Sequence, residues 1–95
     1  MYARVARWEG SSAEAQQKVA DMINSSDGPP EGVPSKGIMV LNDQDAGRSL
    51  VIALFETEDD LRTGDQALKD MDRPPESAGE VSSIELYEVA VDRRL

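Results

Sequence analysis

Apolar and polar residues alternate from Tyr2 to Trp8, with Tyr2, Arg4, Ala6 and Trp8 on one face and Ala3, Val5 and Arg7 on the other. A period of two is that of a strand. The period then lengthens: Ser11-Ser12-Ala13-Glu14 has capping-box spacing, and Ala15, Val19, Met22 and Ile23 form a stripe at helical spacing. The helix expected here runs from Ser12 to Ser26 and is stopped by Gly28-Pro29-Pro30, and the stretch through Gly32, Pro34 and Gly37 reads as a surface loop. Gly37 to Leu41 and Leu50 to Phe55 are compact apolar runs around a turn-forming segment, Asn42 to Arg48, so they predict a β-hairpin. Thr57 followed by Glu58, Asp59 and Asp60 caps a second helix, Glu58 to Asp72, whose inner stripe is Leu61, Gly64, Leu68 and Met71. Arg73-Pro74-Pro75 ends it, and the polar stretch from Glu76 to Glu80 leads to a last strand, Ser83 to Val91, before the tail Asp92 to Leu95.

The order β-α-β-β-α-β, two βαβ halves joined by a hairpin, predicts a ferredoxin-like α+β fold with a four-stranded antiparallel sheet under two helices. Both faces of the middle strands are apolar: Ile38 and Val40 oppose Met39 and Leu41, while Val51 and Phe55 oppose Ile52 and Leu54. Two helices cover one face of a sheet, which leaves an apolar face for a partner, and a second copy of the sheet is the simplest cover. A homodimer is therefore expected.

A length of 95 residues fits one domain, 1–95, and a core that small gains from pairing. Ten Lys plus Arg stand against nineteen Asp plus Glu, a formal charge of -9 that argues against nucleic acid and anionic membrane as partners. There is no signal-like or spanning apolar run, so a cytoplasmic location is expected, and the sequon Asn24-Ser25-Ser26 reads as a frayed helix end. Cysteine and histidine are absent. That removes thiol nucleophiles, Ser-His-Asp triads and His-ligated zinc or haem, leaving carboxylates, Tyr, Lys, Arg or an unassisted substrate.

Three stretches together resemble the dimeric α/β-barrel superfamily that includes the antibiotic-biosynthesis monooxygenases: Met1-Tyr2-Ala3-Arg4-Val5, Val51-Ile52-Ala53-Leu54-Phe55-Glu56-Thr57-Glu58-Asp59, and Glu85-Leu86-Tyr87-Glu88-Val89-Ala90-Val91. The resemblance spans nearly the whole chain and implies a dimer with its sheets face to face. It carries packing patterns rather than a catalytic signature. The haem-degrading subgroup is not matched: Gly64 stands at its pocket Trp, Arg73 near its His ligand and Ala3 near its first-strand Asn. Cofactor-free members, which oxidise aromatic polyketides or quinols with substrate-derived electrons, need no such ligands. No cofactor and no metal are expected, and no catalytic residue is assigned.

The resemblance implies a pocket for a small aromatic ligand between helices and sheet, lined by Val5, Phe55, Leu61, Gly64, Leu68 and Tyr87. Tyr2, Arg4 and Trp8 share one face of the first strand and are either a stacking platform for a flat aromatic ligand or anchors of the dimer face. Tyr87 with Glu85 or Glu88 forms a phenol-carboxylate pair suited to proton transfer or an ordinary outer strand. Asp43, Asp45 and Glu56 lack the spacing of a calcium loop, and Lys36 stands in no phosphate-binding glycine motif. Gly64 breaks helix propensity by about 1 kcal/mol, so either the helix approaches the sheet closely there or a hollow admits a ligand. Two functional readings stay open: a cofactor-independent monooxygenase-like enzyme, and a non-catalytic ligand-binding or protein-interaction module.

Overall fold

The structure is a computed structural model and describes residues 1–29, 32–70 and 79–95. Its elements are β1 (Tyr2–Glu9), α1 (Ala13–Ser25), β2 (Gly37–Asp43), β3 (Arg48–Phe55), α2 (Glu58–Lys69) and β4 (Glu80–Glu88). The order is the expected ferredoxin-like one. All neighbouring strands are antiparallel in a single sheet ordered β2-β3-β1-β4. Each βα-β crossover therefore skips one strand, which carries α1 toward the β3–β2 side and α2 toward β1 and β4.

Register fixes the two faces, because residues directly opposite in an antiparallel pair share a face. Tyr2, Arg4, Ala6 and Trp8 lie opposite Phe55, Ala53, Val51 and Ser49. Ile38 and Val40 continue this row on β2, and Leu86 and Ile84 on β4. This is the helix side, since Ala53 and Phe55 are buried with Leu61 of α2. Ala3, Val5, Arg7, Leu50, Ile52, Leu54, Met39, Leu41, Glu85 and Tyr87 take the other face, on which no helix of the described residues lies.

Local signals set most of the element ends. Ser12 caps α1 by accepting the Ala15 amide at 3.1 Å, and Thr57 caps α2 by accepting the Asp60 amide at 3.1 Å. The expected capping box at Ser11 is corrected: Ser11 is buried and turns inward, its amide and hydroxyl both donating to the Gly47 carbonyl. The C-terminal Ser25 and Ser26 hydroxyls donate back to Met22 and Ile23 carbonyls, so the sequon does end the helix. In the hairpin, the Asp43 carboxylate accepts the Ala46 amide, and Gly47 adopts φ +66, a left-handed turn position that favours glycine.

Three expectations differ from the structure, the first at the end of α2, which stops at Lys69 with Asp70 as its C-cap, short of the expected Asp72. β4 starts three residues early and stops at Glu88, because Glu88 lies opposite Tyr2, the first residue of β1. Beyond it only one backbone bond continues the ladder, from the Val89 amide to the Met1 carbonyl. The loop before β2 is not wholly on the surface: Val33 is buried in the cluster of Ala53, Phe55 and Leu61. Met71, the Arg73-Pro74-Pro75 stop and most of the Glu76 to Glu80 stretch lie outside the described residues.

Candidate functional site

The helix side divides into two halves. Under α2, Phe55 is 0 % exposed and packs with Val33, Ala53 and Leu61, flanked by Tyr2, Ala67 and Leu68. Burying that ring contributes about 2 to 3 kcal/mol. Gly64 explains how α2 comes so near. A Cβ added there would stand within 3.0 Å of two Phe55 ring atoms, so the ring occupies the volume a side chain would need. Of the two readings of Gly64, the close approach is the one present.

Beside this cluster the β1 guanidinium of Arg4, 7 % exposed, meets Asp65 of α2 at 2.9 Å. Lys69, one turn on, reaches the other Asp65 oxygen at 3.0 Å. Burial alone would raise the Asp65 carboxyl, but hydrogen bonds from Arg4 and Lys69, with their charges, outweigh it and hold its pKa below the ordinary 3.8. The charged Arg4 is tolerated beneath a helix because Asp65 matches it.

Under α1 the layer is less filled. α1 buries only Ala15 and Gln16, and its stripe continues through half-buried Val19 and Ile23 to Met22, 64 % exposed. On the sheet, Ile38 faces the helix side yet is 49 % exposed. What ties α1 down is polar: the Gln16 amide nitrogen bonds the Ser11 hydroxyl at 3.0 Å and the Arg48 carbonyl at 3.2 Å. Its amide oxygen is buried without a partner among the described residues. The β2 edge of the helix side is thus left partly uncovered at Ile38 and Val40.

These placements revise the pocket expected from sequence. Phe55, Leu61, Gly64 and Leu68 come together, but as packed core, because the Phe55 ring fills the space beneath Gly64. Val5 and Tyr87 lie on the opposite face and cannot line the same cavity. Tyr2, Arg4 and Trp8 do share a face, the helix side, so of their two readings the one that makes them anchors of a dimer through the open face does not fit. On that open side the Tyr87 hydroxyl donates to the Glu85 carboxylate, and this hydrogen bond, with the negative charge of Glu85, pushes the phenol above its ordinary 10.0. The pair is solvent-exposed and disposed to hold a proton rather than release one.

Sequence reasoning missed Asp65, Gln16 and Val33. The first left a trace: an inward Arg4 demands an acid on the inner side of a covering helix, and Asp65 sits next to the inner-stripe Gly64. No group of three or more acids able to hold a metal is present among the described residues, and no helix there is long and apolar enough to cross a membrane.

Neither a protein-family model nor a curated protein matches the sequence. A solved structure does match: a Deinococcus radiodurans protein provisionally assigned as an antibiotic biosynthesis monooxygenase, with TM-score 0.54 and 13 % identity, covering 100 % of this chain and 98 % of that one. At that identity the likeness is one of fold. It extends over the whole domain, the same span over which the three sequence stretches carry the family resemblance.

Proposed function

We propose that the chain is a homodimeric, monooxygenase-like enzyme that acts on a small aromatic or quinol-type molecule without a metal or organic cofactor. The observation that carries this reading is the unequal filling of the helix side: a packed wall at Phe55 and Leu61 stands on the same sheet face as an apolar β2 edge, Ile38 and Val40, that is left partly uncovered. The fold likeness to a provisionally assigned monooxygenase supports the reaction class. An electron-rich phenol ring with an adjacent CH2 would supply the electrons. Dioxygen oxidises that carbon: one oxygen atom enters as the carbonyl, and the other leaves as water with the two hydrogens lost. The protein's part is to orient the ring and exclude water, with Ile38, Val40, Val19 and Ile23 as contacts.

The dimer rests on the open face, where Met39, Leu41, Leu50, Ile52 and Leu54 form a contiguous apolar surface. Covering about 800 Å² per partner would reach the standard size of a specific interface. Light scattering at low micromolar protein should give twice 10.4 kDa. A mass of one protomer rejects the dimer. Oxygen uptake tests the activity with polyhydroxylated anthracenes, whose anthrone tautomers carry the CH2, and with hydroquinones, which lose two hydrogens to give the quinone while dioxygen becomes hydrogen peroxide. The absence of protein-dependent uptake across the panel rejects it.

The formal charge of -9 favours a second reading, a non-catalytic small-ligand-binding or protein-interaction module. A compound from the same panel that raises the melting temperature and is recovered unchanged would support it.

A further inference from the structure

The sheet has two edge strands, β2 and β4, and they are finished differently. An edge presents a row of unpaired backbone N–H and C=O groups, and charge, bulges or proline normally keep a second strand from adding to it. β4 carries Glu80, Glu85 and Glu88, and its ladder with β1 is broken by a register shift between Arg7 and Trp8. β2 has none of these devices. From Gly37 to Asn42 it carries no charge and no proline, and its register with β3 runs unbroken from Gly37 to Asp43. In a chain of formal charge -9 that is an unguarded stretch, and no element among the described residues pairs with its outer side. The edge groups lie in the plane of the sheet. Stacked sheets stand about 10 Å apart, twice the spacing of about 4.8 Å between paired strands, so a partner on the open face leaves this edge unpaired.

We propose that the outer edge of β2 pairs antiparallel with β2 of a second copy, about a two-fold axis at Val40. Such an axis stands perpendicular to the sheet and keeps the two helix sides on the same side. Val40 is the middle of β2, so this register lets all 7 residues pair: Val40 with Val40, Met39 with Leu41, Ile38 with Asn42 and Gly37 with Asp43. Charge at the strand ends selects a second copy as the occupant. Lys36, just before β2, is brought to the Asp43 and Asp45 end of the other chain, and the two-fold axis makes that contact twice. Paired strands carry their side chains side by side, so Ile38 and Val40 stay reachable from above, and the apolar edge of the helix side continues into the second copy. A contact of one short strand is small and weak, populated toward millimolar rather than micromolar concentration. It therefore joins two face-to-face dimers as the chain is concentrated.

Isotope-filtered nuclear magnetic resonance on a mixture of labelled and unlabelled full chain, at about 0.5 mM, tests the pairing. Val40 methyl groups of different copies should be in contact. The outward amides, every second residue of β2, should be protected from hydrogen exchange at about 0.5 mM and lose that protection at about 5 µM. Light scattering over the same range should rise from two protomers toward four. Val40→Lys sets two like charges opposite one another and should weaken this step at least about tenfold. Lys36→Glu, at an exposed position, should weaken it about threefold and keeps the test open if Val40→Lys does not fold. Absence of the Val40 contact between copies, or an unchanged rise in mass in the folded variants, would overturn the edge pairing and leave the face-to-face dimer standing. A Val40 contact within a species of two protomers that Ile52→Lys, on the open face, does not split rejects the face-to-face dimer and keeps the edge, so the two failures are told apart.

Discussion

The two crossover helices occupy equivalent places in the topology and are used in opposite ways. α2 is pressed onto β1 and β3: Gly64 gives up its side chain to the Phe55 ring, and Asp65 neutralises an arginine buried beneath it. α1 is pinned at its first turn by Ser11 and Gln16, and its apolar stripe runs out half exposed. Both helices are amphipathic and both are capped. α2 contributes to the buried cluster, whereas α1 buries only Ala15 and Gln16. Amphipathic periodicity specifies that a helix has an inner face, not how closely that face is met.

Truncating each half measures that difference. Phe55→Ala should cost about 4 kcal/mol, the range for a fully buried aromatic whose surroundings cannot collapse. Ile38→Ala, on the same side of the sheet but 49 % exposed, should cost less than about 1.5 kcal/mol, since only part of its surface leaves water. Urea unfolding of the two variants gives both numbers. Equal losses would mean that both helices are packed alike, and the comparison would fail.

The ion pair sharpens it next. Asp65→Asn should destabilise by about 2 to 3 kcal/mol at pH 7, because it leaves the Arg4 charge buried beside a neutral amide; the partial exposure of Asp65 keeps the loss below that of a fully enclosed pair. The folded carboxyl titrates below its ordinary 3.8. A depressed folded value stabilises the native state above the unfolded pKa, and that contribution is lost as pH falls through the folded one. The gap between wild type and variant should therefore be full at pH 7 and shrink as pH drops below 3.8. Unfolding midpoints measured between neutral pH and pH 2 test this, and a constant gap would show that the charge of Asp65 is not what holds Arg4.

The element order and the approximate starts of five of the six elements follow from periodicity and capping alone, because these are local signals carried by runs such as Tyr2 to Trp8 and Leu50 to Phe55. The end of β4 was different: it depends on where β1 begins, a long-range fact that the apolar Val89 and Val91 do not encode. The face assignment was also out of reach. Alternation divides β1 into two rows without saying which lies under the helices, so Val5 and Tyr87 were grouped with Phe55 although the sheet separates them. Val33 was hidden among loop residues because one apolar side chain in a Pro- and Gly-rich stretch has no period.

Filling the gap at Gly64 is a smaller perturbation of the α2 half. Alanine gains about 1 kcal/mol of helix propensity, but its Cβ meets a ring that is 0 % exposed and has nowhere to go. Overpacking costs about 1 to 3 kcal/mol, so Gly64→Ala should be destabilising by about 1 kcal/mol net. The same substitution at an uncrowded helical glycine would stabilise. A rise in the urea midpoint of Gly64→Ala would mean that α2 stands farther from the sheet than the Phe55 contact requires.

The smallest expected effect lies at Met22, and it tests the open half from the other direction. Met22 is on the apolar stripe of α1 but 64 % exposed, one residue before Ile23, which is half-buried. Glutamine has the same reach and nearly the same helix propensity, so Met22→Gln exchanges a thioether for an amide with little change of local structure. If α1 stands off the sheet as described, the change removes little buried apolar surface, and stability should stay within about 0.5 kcal/mol of wild type. If α1 instead closed on Ile38 and Val40 in solution, the amide would be forced into apolar surroundings without a partner, a cost of about 1 to 3 kcal/mol. Urea unfolding separates the two outcomes, and a loss above about 1 kcal/mol would place α1 in the core alongside α2 and remove the strip on which the proposed ligand rests.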